Sequence, residues 1–214
     1  ILSAGGSLRW YRDVIASAEV ADAQARGVDP YDALMAAAAD VAPGADGLFF
    51  LPYLAGERTP HMDPFARGGW VGLTLAHDRP HLLRALLEGV SFALKDALVL
   101  MRRLGVSPDV LYAVGGGARN ALWRGMLASV LGVPLQRVAV EEGPALGAAL
   151  LAAVGAGVHA DVAAAVAAAV RTQGSPDAPD AALQPRYNQL HSEFTALYPA
   201  LRQTRVWHPD GSGR

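Results

Sequence analysis

The residues best placed to do chemistry lie between Asp109 and Pro134, in the stretch DVLYAVGGGARNALWRGMLASVLGVP. A short apolar run, Val110 to Val114, leads into Gly115, Gly116 and Gly117. Ala118, Arg119 and Asn120 follow, and then an amphipathic pattern begins. Glycine reaches positive φ and lacks a Cβ, so a flat or anionic ligand can come close to the backbone. A helix start adds unpaired N–H groups and the positive end of the helix dipole, both of which favour phosphate. Strand, glycine turn and helix together read as a nucleotide seat. The same triplet also fits an ordinary tight turn. A dinucleotide fingerprint needs a third spaced glycine and an acidic residue after the next strand. Asn120 stands where that glycine would be, whereas Glu141 and Glu142 do follow the strand-like Leu135 to Val140. Half of the fingerprint is met, so an NAD-dependent oxidoreductase stays an alternative.

These groups must be held by a folded body, and the composition supports one. The chain has 214 residues, 52% hydrophobic and 18% charged, with a net charge of −2. That suits a globular chain able to bury a core. The near-neutral charge gives no footprint for nucleic acid or an anionic membrane. The absence of cysteine excludes disulfides and thiolate metal sites and fits a cytoplasmic protein. No apolar run reaches the length of about 18 residues expected of a membrane span. Ile1 opens the chain without a basic leader or a cleavage site, and the chain reads as part of something longer.

Punctuation by Gly and Pro divides the rest. Ser7 is expected to cap a helix running to Ala25 and ended by Gly27. Asp29-Pro30 starts a second helix toward Ala39. Residues 47–54 (GLFFLPYL) read as a buried strand and residues 55–73 as a loop rich in Gly, Pro and charge. A long helix from about Arg79 to Leu104 ends at Gly105. After the glycine turn come a helix from Arg119 to Leu131, the strand Leu135 to Val140 and a helix from Ala145 to Val154. Gln173 to Asp180 forms a polar break, and a last helix starts at Pro185. The tail from Pro209 is expected to be disordered. The alternation of helix and strand argues for an α/β fold with a sheet flanked by helices.

Several of these stretches resemble the FGGY carbohydrate kinases. GGGARNALWRGMLASVLGVPL is similar to their adenine-binding segment, and GGWVGLTLAHDRPHLLRALLE, Gly68 to Glu88, to their C-terminal signature. AGGSLRWYRDV, EEGPALGAALLAAVGAG and FLPYLAGERTPHMDPFARG match further segments in the same order, the last in the form found in xylulokinases. The resemblance implies the C-terminal domain of an actin/hexokinase-type ATPase: a ribonuclease-H-like α/β fold, here lacking its first strands. Residues 1–205 would form that nucleotide-binding domain and 206–214 a tail.

Position by position, the resemblance implies that Gly116 and Asn120 contact adenosine, with Gly115 and Gly117 shaping the same turn. It implies that Gly5 and Arg9 face the phosphates and ribose. The Asn120 amide can donate to and accept from an adenine edge, and it can equally cap the helix that follows. Arg9 stands where related glycerol kinases have glutamine, and it also suits a solvated helix face. Trp123 is expected to be core. Glu57, Arg58, Thr59 and His61 combine charge with a histidine, yet the resemblance makes their loop structural. His81 and Glu88 suit capping and packing. No histidine pair has metal-ligand spacing, so no protein-bound metal is expected, and Mg²⁺ would arrive with ATP.

Sugar phosphorylation needs a base for the hydroxyl proton and donors around the γ-phosphate. The family's base is an aspartate in a Gly-Asp motif, and these 214 residues contain no Gly-Asp pair. The resemblance therefore places the catalytic aspartate, and most of the sugar site, upstream of Ile1. The expectation is a nucleotide-binding part of an ATP-dependent kinase acting on D-xylulose to give D-xylulose 5-phosphate, inactive alone. The part would also be oligomeric through uncovered apolar helices. A non-catalytic nucleotide-binding or assembly domain is the other reading.

Overall fold

The computed structural model describes residues 1–139 and 143–204. Glu141, Glu142 and the tail beyond 205 lie outside the described residues.

Helix α1 (Ala4–Trp10) opens the chain. Ser7 does not cap it. It sits buried inside the helix, with its Oγ donating to the Ser3 carbonyl at 2.5 Å. The run to Ala25 is not one helix either. A π turn, Tyr11–Ile15, and a break at Ala16 (φ −103°, ψ 27°) separate α1 from α2 (Ser17–Ala25). Tyr11 is the buried residue of that turn, and its hydroxyl donates to the Arg79 carbonyl at 2.7 Å. Helix α3 (Pro30–Ala39) starts as its sequence requires: Asp29 accepts from the Tyr31 N–H at 2.7 Å, with proline in the first turn.

Strand β1 (Phe49–Leu51) pairs antiparallel with β2 (Gly69–Val71), Phe50 opposite Trp70. The sequence reads the second of these as loop, because three residues cannot display an alternation. Helix α4 (Arg79–Arg103) follows, begun by a reciprocal cap between Asp78 and His81. Every residue from Leu83 to Ala93 is buried, so this part of α4 is wrapped on all sides rather than amphipathic. It packs on β1, α1 and α3. The approach to β1 is so close that a Cβ added at Gly89 would stand 2.0 Å from the Phe50 carbonyl oxygen.

Strand β3 (Leu111–Ala113), helix α5 (Ala121–Leu131) and strand β4 (Leu135–Val138) form a parallel β-α-β unit, Leu111 opposite Leu135. Helix α5 starts two residues later than its sequence suggests, because Gly116–Arg119 wind into a 3₁₀ turn. Helices α6 (Gly143–Gly155) and α7 (Val162–Ala169) come next, then β5 (Thr172–Asp177), antiparallel to β4 with a register shift. Thr172–Asp177 falls largely within the expected polar break. Its strand state comes from pairing rather than propensity. The Gln136 amide, for instance, donates to the Gln173 and Gly174 carbonyls at 3.2 Å. Helix α8 (Gln184–Arg202) closes the described fold against α4 and α5.

One buried polar cluster ties these layers together. The Glu88 carboxylate accepts from Arg84 Nε at 2.8 Å, from the Gly44 N–H at 3.0 Å and from the Tyr187 hydroxyl at 3.4 Å. Arg84 Nη2 donates to that hydroxyl at 2.9 Å. Both charges are almost fully buried, with side-chain exposures of 6% and 2%. Removing one partner strands the other in a dry site. Arg84→Ala is expected to cost about 3–5 kcal/mol in urea unfolding. The paired replacement Arg84→Met with Glu88→Leu should recover most of that loss.

Candidate functional site

A cleft of about 440 Å³ opens where α1, the start of α3 and the glycine turn meet. Gly5, Leu8 and Arg9 come from α1; Asp29, Tyr31, Asp32 and Met35 from α3 and its cap. Gly116, Gly117, Arg119, Asn120 and Trp123 come from the turn and α5. Five of the six residues singled out from sequence therefore share one cavity. Gly115 is the exception. It does not line the cleft but starts the turn at φ +81°, a conformation that glycine adopts without strain.

The turn is held from beneath. Trp123 is 3% exposed, and its Nε1 donates to Ser91 Oγ on α4 at 3.4 Å. Its ring lies under Gly117, where an added Cβ would stand 2.8 Å from a ring carbon. Trp123 is thus core on one side and cleft floor on the other. Asn120 caps α5 by accepting from the Trp123 N–H at 3.3 Å, and its NH₂ donates to nothing among the described residues. The expectation of an amide both donating to and accepting from a ligand narrows to one whose donors are free while its oxygen is engaged.

Charge in the cleft is mixed. Arg9 is exposed and forms no hydrogen bond or ion pair among the described residues. Asp29 and Asp32 line the same cleft from α3 and its cap, Asp29 with one oxygen engaged in the cap. Tyr31 is fixed at the mouth by Arg12, whose Nη1 donates to the phenol oxygen at 2.9 Å and whose guanidinium lies 4.9 Å from the ring centre. The α3 contribution had no local signal. Asp29-Pro30 announces a helix start, and only packing brings that start beside a turn some ninety positions later. No group of three or more His, Cys, Asp or Glu among the described residues could hold a metal ion.

The Glu57–His61 loop lies outside the cleft. Glu57 Oε1 accepts from the Arg58 and Thr59 N–H groups at 2.7 and 3.2 Å. His61 stacks on Tyr198 of α8 with ring centres 3.8 Å apart, and the Tyr198 hydroxyl donates to Asp63 at 2.6 Å. Burial holds the His61 imidazole below its ordinary pKa, and burial together with Asp63 pushes the Tyr198 phenol up. These groups clamp the loop to α8, which is a structural task. His81 and Glu88 likewise cap and pack α4.

With this geometry in place, the family is clear. Residues 1–156 match the C-terminal domain of the FGGY family of carbohydrate kinases, and the chain belongs to that family. FGGY kinases are phosphotransferases, and the fold is their actin/hexokinase-type, ribonuclease-H-like α/β fold. A xylulose kinase of Bacillus subtilis is 38% identical over 69% of this chain, and a gluconokinase of the same organism is 42% identical over 66%. The chain spans 28% of the length of each of these relatives. The crystal structure of xylulose kinase from Rhodospirillum rubrum superposes with a TM-score of 0.78 at 39% identity, covering 95% of this chain and 39% of that one. Among the described residues no helix is long and apolar enough to cross a membrane.

The contact beneath the turn is open to test. Gly117→Ala drives a methyl into the Trp123 ring and is expected to cost about 1–3 kcal/mol, read as a lower melting temperature. Gly116→Ala meets nothing within 4 Å and should leave the melting temperature within error.

Proposed function

We propose that the chain binds an adenine nucleotide in this cleft. It would thereby supply the nucleotide-binding part of a kinase that transfers phosphate from ATP to D-xylulose, giving D-xylulose 5-phosphate. One observation carries the reading: Gly5 and Arg9 from α1 meet Gly116, Gly117 and Asn120 from the turn in a single cavity. The residues suit the ligand. The backbone at Gly5 and Gly116 is open, with nothing within 4 Å of a Cβ placed there, so a flat ring or a phosphate can come close. The Asn120 NH₂ is available to an acceptor on the purine edge. Arg9 offers a guanidinium with no partner among the described residues to an anionic chain of phosphates.

Within this division of labour the chain orients the nucleotide rather than carrying out proton transfer. Adenine rests on the glycine turn, and the phosphates extend toward Gly5 and Arg9. Mg²⁺ would arrive with ATP, held mainly by phosphates and carboxylates, and would supply charge neutralisation at the phosphates. The base for the sugar hydroxyl belongs to a Gly-Asp motif, which these residues do not contain. The sugar is bound mainly by an N-terminal part of the whole kinase. D-Xylulose is supported by the resemblance of the ERTPH and GGGARN forms to xylulokinases and by the xylulose kinases among the relatives.

Calorimetric titration of the chain with ADP, ATP and NAD tests the reading. ADP and ATP are expected to bind and NAD to give no comparable heat. Arg9→Ala should weaken ATP by about tenfold while leaving adenosine nearly unchanged, as loss of a charge-assisted contact predicts. Equal affinity for NAD, or no adenine-dependent heat, would overturn it. The chain alone is expected not to phosphorylate D-xylulose.

The same reading includes self-association of the chain. Leu151 and Val158, at 61% and 69% exposed, lie on or beside α6, which buries none of its residues within the described fold. Light scattering should report an oligomer that Leu151→Glu weakens, and a clean wild-type monomer would refute this point.

A further inference from the structure

Arg124 has no place in the scheme above, yet its guanidinium makes four hydrogen bonds beside the glycine turn. It is 9% exposed, on the first turns of α5. Its Nη1 donates to two successive carbonyls of the glycine turn, Ala118 at 2.9 Å and Arg119 at 2.8 Å. Its other edge faces β5, where Nε donates to Asp177 Oδ2 at 2.7 Å and Nη2 to Oδ1 at 3.4 Å. One planar group thus joins the end of the turn to a strand more than fifty positions later in the chain.

We propose that Arg124 and Asp177 are positioning residues for the glycine turn, setting where Gly116, Gly117 and Asn120 stand in the cleft, an inference that rests on reading that turn as the nucleotide seat. Gly115 to Gly117 bring no side chains, and the Ala118 N–H bond to the Gly115 carbonyl, at 3.1 Å, closes a single short loop. Trp123 supports the turn from below and blocks movement toward the core. The guanidinium restrains movement along the sheet edge, because its fixed fork meets both carbonyls while Asp177 holds its opposite edge.

Asp177 is itself anchored. Three residues on, the Asp180 N–H donates to Ser129 Oγ at 3.0 Å, and Ser129 Oγ donates to the Gly125 carbonyl at 2.8 Å. The segment after β5 is therefore pinned to the helix that carries Arg124. Asp177 also lies outside residues 1–156, the stretch that matches the family's C-terminal domain. The chain beyond that stretch thus reaches back and shapes the site.

Two measurements on the whole 214-residue chain test the clamp. Hydrogen-exchange mass spectrometry without nucleotide reads the turn, and calorimetry with ADP reads the cleft. Asp177→Asn keeps the shape and removes the charge; Arg124→Lys keeps the charge and loses the fork. In both, amides of residues 115–120 are expected to exchange about tenfold faster and the ADP dissociation constant to rise about tenfold, while the centre of α4 stays protected. The double variant should be no worse than either single one, since each already breaks the same clamp. Asp177→Glu keeps the charge on a longer stem and should fall between wild type and Asp177→Asn, which covers the case in which losing the charge unfolds the chain.

Turn exchange within about twofold of wild type in these variants would overturn the clamp. A loosened turn with unchanged ADP affinity would overturn its positioning role. If the wild-type chain takes up no ADP while the turn still loosens, the nucleotide reading falls and the clamp stands.

Discussion

The arrangement of the helices depends on how closely α4 lies against β1. At Gly89 the two backbones approach until no side chain fits, a Cβ there falling 2.0 Å from the Phe50 carbonyl oxygen. That contact lets a helix buried from Leu83 to Ala93 serve as a common wall for α1, α3, α5 and α8. Any residue larger than glycine would push the helix outward and shift each element leaning on it. The Arg84–Glu88–Tyr187 cluster then fixes the rotation of the helix, since its hydrogen bonds are satisfied in one orientation only.

The cleft follows from this spine. The π turn that follows α1 is tied to the start of α4 through the Tyr11 hydroxyl, α1 and α3 pack on α4 directly, and α5 reaches it through Trp123 and Ser91. Three stretches distant in sequence meet because each is docked on the same helix. The cleft is therefore built on rigid elements, and its irregular parts are confined to the glycine turn and the Asp29 cap. Such a division suits a site that holds a ligand against a fixed frame.

Much of this was legible in the chain because it was local. The glycine triplet, the Asn120 cap, the Asp29-Pro30 start and the bounds of α4 all arise from neighbours within a few residues. What escaped was made by tertiary contact. Ser7 has a capping side chain but is helical, since its hydroxyl finds the Ser3 carbonyl instead. Strand β5 contains glycine, serine and proline, and only its pairing with β4 makes it a strand. The α3 wall of the cleft and the Arg124–Asp177 contact join positions whose local sequence says nothing about the other. The family resemblance recovered the turn and α1 because those segments carry motifs; it did not mark Asp29, Asp32 or Asp177.

The composition of β5 also gives the three-stranded sheet two unlike sides. Proline at 176 lacks a backbone donor, and Gly174 turns to φ +69°, so the outer margin of that strand is blunt and irregular. Strand β3, at the opposite margin, is regular and has no proline or glycine from Leu111 to Ala113. A further strand, whatever its source, would find a usable template along β3 and a poor one along β5. The sheet is in effect one-sided, able to grow in a single direction, and β5 is where that growth stops.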